Sequence, residues 1–62
     1  MANDPQLIVN QRESLIGQLA YVECRLLTNL EAWERREYQA LKKDYELKIA
    51  GLNCAIAFLN GE

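Results

Sequence analysis

Residues 33–59 read WERREYQALKKDYELKIAGLNCAIAFL, a stretch with no proline, one glycine and an apolar residue at almost every third or fourth position. At about 100° per residue, Tyr38, Leu41, Tyr45, Ile49, Leu52, Ile56 and Leu59 fall inside an arc of roughly 80°. That spacing predicts one long helix carrying a continuous apolar seam, and a seam of that length implies an element that covers it. The same stretch carries a second apolar line nearly opposite the first. Trp33, Ala40, Leu47 and Cys54 recur every seven residues, with Ala50, Ala57 and Phe58 beside them. A helix that is apolar on two opposed sides lies between neighbours. The small residues Ala50, Gly51, Cys54, Ala55 and Ala57 would let a neighbouring helix approach closely.

Upstream, Asp4-Pro5 is a helix start: a carboxylate can accept from an orphan N–H, and proline at the first helical position gives up a donor that had no partner. Ile8, Leu15, Leu19, Val22 and Leu26 then form one stripe, and Val9, Ile16, Ala20 and Leu27 a second beside it, together about 160° wide. Thr28-Asn29-Leu30-Glu31 is the one break, with Thr28 and Glu31 spaced as a capping box. Asn60-Gly61 closes the second helix. Folding the chain back about Leu30 sets positions whose numbers add to about 60 side by side: Ile8 with Leu52, Leu15 with Tyr45, Leu19 with Leu41, Val22 with Tyr38. A mirror of that kind is what a helical hairpin requires. The expected architecture is therefore all-α: a single antiparallel helical-hairpin domain over 1–62, with helix 1 at about 5–28, a turn at about 28–31 and helix 2 at about 31–60. The intrachain core is expected from Ile8, Leu15, Leu19, Val22, Leu26, Tyr38, Leu41, Tyr45, Ile49 and Leu52. Helix 2 outlasts helix 1 in this register, leaving Ile56 and Leu59 in need of cover from elsewhere.

Half of the 62 residues are apolar, more than two lone helices can hide, and a chain this short removes only about 60% of its unfolded surface from water on folding. Both facts point to self-association, most simply of two hairpins into a four-helix bundle, with Val9, Ile16, Leu27, Trp33, Leu47, Cys54, Ile56, Phe58 and Leu59 as the interface. In length and layout the chain resembles the Rop family of plasmid-encoded RNA-binding proteins. That resemblance implies a capped hairpin that dimerises into a four-helix bundle, and it carries over no site residue.

The chemistry is sparse. There is no histidine, and the two cysteines lie thirty positions apart, so neither a metal centre nor an activated nucleophile is expected, and Ser14 has no base beside it. In the folded-back register Cys54 is level with Gln6, roughly 27 Å from Cys24, which excludes a disulfide that spans at most about 7 Å between Cα atoms. Glu34 with Glu37 lacks the water-excluding cleft that a general acid needs. Gly17, Gly51 and Gly61 are scattered and make no phosphate loop. The expectation is no enzyme, no cofactor and no small-molecule substrate. The opening residues lack the basic and apolar regions of a signal peptide, no apolar run nears the ~20 residues of a membrane span, and the polar faces give anionic lipid no hold. A cytoplasmic protein is expected.

One polar face stands out. Arg35, Arg36, Lys42 and Lys43 fall on one side of helix 2, within about 120°. Such a face could meet an RNA or DNA backbone or an acidic protein surface. The sequence therefore leads to a small non-enzymatic regulatory protein, a homodimer or larger that binds another protein and modulates it, in the manner of phage or plasmid accessory factors. The alternative is a nucleic-acid-binding hairpin dimer.

Overall fold

A computed structural model describes residues 5–61. Two α-helices fill almost all of this span, α1 at Pro5–Leu26 and α2 at Ala32–Leu59, and they pack antiparallel as a helical hairpin about 44 Å long. A single straight helix of this chain would approach 90 Å at 1.5 Å per residue. The described residues contain no strand. The Asp4 cap expected from the sequence lies outside the described residues.

The cap of α2 is built three residues later than the spacing of Thr28 and Glu31 suggested. Leu27 N–H donates to Cys24 O at 3.1 Å, and Thr28 N–H to Arg25 O at 3.0 Å. These tight bonds end α1 two residues before the expected boundary. The Thr28 hydroxyl turns back to Arg25 O at 2.6 Å, so it satisfies the end of α1 and does not open α2. Glu31 is the residue in extended conformation that precedes α2, and its N–H donates to the Glu34 carboxylate at 3.0 Å. The capping box is thus Glu31 with Glu34. At the far end Asn60 N–H reaches Ile56 O and Gly61 N–H reaches Phe58 O. Gly61 adopts a φ of 80°, the left-handed conformation that glycine takes without steric cost. α2 runs unbroken through Gly51.

The register also differs from the mirror about Leu30. Arg12 with Asn53 and Glu23 with Lys42 each add to 65, and Arg25 with Tyr38 adds to 63. The helices are therefore slid by about one turn, to a sum near 64. At that sum Ile8 is level with Ile56, Arg12 with Leu52, Leu15 with Ile49, Leu19 with Tyr45, Val22 with Lys42 and Leu26 with Tyr38, and every one of these positions is buried or half-buried. Electrostatics explains the choice. The sum of 60 would set Arg12 level with Lys48, two cations; the observed register gives Arg12 the Asn53 side-chain oxygen at 2.9 Å and Lys42 the Glu23 carboxylate at 3.9 Å.

Two corrections follow for individual residues. Leu41, expected in the inner row, is 40% exposed, and Lys42 takes its place in a strict alternation of four and three from Tyr38 to Leu59. Ile56 and Leu59, expected to overhang α1, are half-buried and level with Ile8 and Pro5. The overhang lies at the other end, where the first six residues of α2 project past the level of Leu26 by roughly 9 Å. Only Val22, 3% exposed, is fully buried among the described residues.

Candidate functional site

The overhang decides what becomes of the basic face. Arg35 projects past the end of α1, where the last carbonyls of that helix have no intrahelical donor. Its guanidinium donates to Leu26 O at 2.9 Å and to Thr28 O at 3.1 Å. A planar fork suits two adjacent carbonyls, and a cation there opposes the negative end of the α1 dipole. Lys42 is half-buried and directed to Glu23. Two of the four cations expected to face a ligand are therefore occupied inside the hairpin, and Arg36 and Lys43 remain exposed on the surface. Lys48 pairs with Asp44 at 3.0 Å, as their spacing on one helix face suggests.

The two flanks of the helix seam are unlike. One is bridged by Arg12 with Asn53 and by Glu23 with Lys42. The Arg12 Nε is buried without a partner, a cost accepted where the stem crosses the seam and the head reaches α2. Near the turn, the Arg25 guanidinium lies over the Tyr38 ring, 5.6 Å from its centre. Tyr38 raises the Arg25 pKa further above its already high ordinary value, first through side-chain hydrogen bonding and then through its charge. Because the shift is upward, the Arg25 guanidinium is charged at neutral pH and this contact does not respond to pH there.

The other flank is open. Two adjoining hollows of about 420 Å³ and 550 Å³ share Ser14 and run together as one groove along the seam. Gln18 and Tyr21 of α1 and Leu41 and Tyr45 of α2 line one part, Gln11 and Leu15 with Lys48 and Leu52 the other. Gly17 and Gly51 lie at its edges, where a Cβ would meet nothing within 4 Å. The groove was not expected from the sequence because several of its walls, Leu15, Leu41, Tyr45 and Leu52, belong to the apolar rows expected to close the seam, and periodicity does not show which flank of a seam stays open. Arg12 was missed for a related reason. The apolar stripe skips from Ile8 to Leu15, and that gap of seven is where strict four-three alternation places Arg12.

A third surface lies on the back of α2, about 180° from the seam. There Trp33, Leu47 and Phe58 are 60%, 65% and 79% exposed, with Ala40 and Cys54 exposed between them. Of the other residues expected at an oligomer interface, Val9 is half-buried beside the seam, Ile16 is exposed, and Leu27 is 88% exposed in the turn. Both cysteines are exposed free thiols.

Among the described residues there is no group of three His, Cys, Asp or Glu side chains placed to hold a metal ion, and no helix long and apolar enough to cross a membrane. Compared with family models, curated proteins and solved structures, the chain matches none.

Proposed function

We propose that this chain is a non-enzymatic interaction protein, a hairpin that associates with further copies of itself and in that form binds and modulates another protein. One observation carries the reading. The hairpin exposes 4757 Å², whereas a monomeric globular protein of 7.1 kDa is expected to expose about 4,100 Å². The excess, roughly 700 Å², is close to the ~800 Å² that each partner contributes to a standard protein interface. Large apolar side chains are among the exposed residues, Trp33, Leu47 and Phe58 at 60%, 65% and 79%, and covering them favours association. The simplest assembly is a pair of hairpins, four helices in all. With α2 backed by a second copy, the groove between Tyr21 and Leu41 is the surface left for an amphipathic helix of another protein.

Sedimentation equilibrium at micromolar concentration tests this. A mass of twice the 7.1 kDa chain or more is expected, falling to the chain mass in Leu47→Glu. A wild-type monomer overturns the reading. A duplex RNA bound with an affinity that falls steeply in salt and is lost in Arg36→Ala, Lys43→Ala would replace it with nucleic-acid binding.

A further inference from the structure

The back of α2 carries more information than its apolar character. Trp33, Ala40, Leu47 and Cys54 stand in one line, and charged residues border it in a fixed pattern: Arg36 and Lys43 about 30–50° to one side, Glu37 and Asp44 about 50–70° to the other. Arg36, Glu37 and Lys43 make no hydrogen bond or ion pair in the hairpin, and Asp44 meets only Lys48 of its own helix. A helix ridge edged by unpartnered cations on one side and anions on the other is half of an interface whose other half has the same layout.

We infer that two copies pair through the backs of their α2 helices, and that they do so in parallel. The inference rests on the self-association proposed above and names its surface and orientation. In a parallel pair each flank of one helix meets the opposite flank of the other at the same level, so Arg36 faces the second copy's Glu37 and Lys43 its Asp44, twice over by symmetry. In an antiparallel pair each flank meets its own kind. Centred on Leu47, that arrangement sets Arg36 and Glu37 against Ala57 and Phe58; centred nearer Ala40, it sets Arg36 against Lys43 and Glu37 against Asp44, both repulsive. Below the charges the flanks carry Ala50, Gly51 and Ala57, which allow close approach, with the exposed Phe58 beyond them. The excess exposed area of roughly 700 Å² matches what one such partner would cover. Because the ridge lies opposite the seam, the assembly is an open row of four helices in which both grooves stay accessible.

Cys54 makes the geometry measurable. In parallel pairing the two Cys54 residues oppose each other across the twofold axis, within the roughly 6 Å between Cα atoms that a disulfide bridges. In a Cys24→Ser background, mild oxidation is expected to give a covalent dimer in high yield, whereas Cys54→Ser, which keeps Cys24, gives none. The doublet Arg36→Glu, Lys43→Glu is expected to weaken the dimer at least about tenfold, and adding Glu37→Lys, Asp44→Lys to restore it. A monomeric wild type sinks this inference together with the self-association it rests on. A dimer that fails to cross-link through Cys54, but does so between Cys54 and a cysteine introduced by Ala40→Cys, overturns the parallel pairing alone.

Discussion

The two flanks of the hairpin seam face the same solvent yet are made of different material. On one, two long cations reach across to partners on the opposite helix, Arg12 to Asn53 and Lys42 to Glu23. On the other, an open groove runs between Ser14, Gln18 and Tyr21 of α1 and Leu41, Tyr45 and Lys48 of α2. The comparison shows how a hairpin with one fully buried residue among those described can still hold a definite register. Apolar rows tolerate a slide of one turn, because another apolar residue arrives at each level. Directional polar contacts do not, because the slide would set Arg12 beside Lys48. The stitched flank fixes position and the open flank leaves surface for use.

Substitutions can break that contrast. The largest effect belongs to the seam itself: Leu52→Ala should lower stability by about 3 kcal/mol, a large part of what so small a domain has, whereas Leu41→Ala on the groove edge should cost about 1 kcal/mol. Chemical denaturation compares them, and equal losses would mean that Leu41 belongs to the inner row after all. Arg35→Ala removes two charged bonds to the end of α1 and should cost about 2 kcal/mol; loss of no more than a surface residue's few tenths would mean that the clamp at the turn is ornamental. On the open flank the sign reverses. Gly17→Ala should raise stability by about 0.8 kcal/mol, since a helical glycine gains propensity on gaining a Cβ and nothing stands in its way; a lower melting temperature would show that the groove is filled. The smallest effect is on the stitched flank, where Arg12→Leu should change stability by under about 1 kcal/mol yet broaden the spin-label distance distribution between Gln18 and Glu46. A distribution as narrow as the parent's would show that Arg12 does not set the register.

How much of this could be read from the chain alone divides along the same line. The long apolar periods of residues 8–26 and 38–59 announce two helices, and the run from Thr28 to Glu31 announces the fold back between them. Register was not legible, because Leu41 and Lys42 are neighbours and the apolar one was the natural choice for an inner row. Only the alternation through Tyr38, Lys42, Tyr45 and Ile49, together with the gap at Arg12, distinguishes the two alignments. The basic face was read by charge and direction, and it is dismantled by lengths: Arg35 and Lys42 have stems long enough to bend toward α1, a choice that depends on where α1 ends. The groove was not legible because its apolar walls, Leu15, Leu41, Tyr45 and Leu52, fall in rows expected to close the seam, and periodicity does not show which side of a seam stays open.

The projection of α2 past α1 places the chain's single tryptophan, Trp33, at 60% exposure on the same line as Leu47 and Cys54. The molecule thus comes with its own optical gauge. If hairpins pair along this line as proposed, dilution should shift the indole emission to longer wavelength as water reaches the ring, a readout that needs no attached dye.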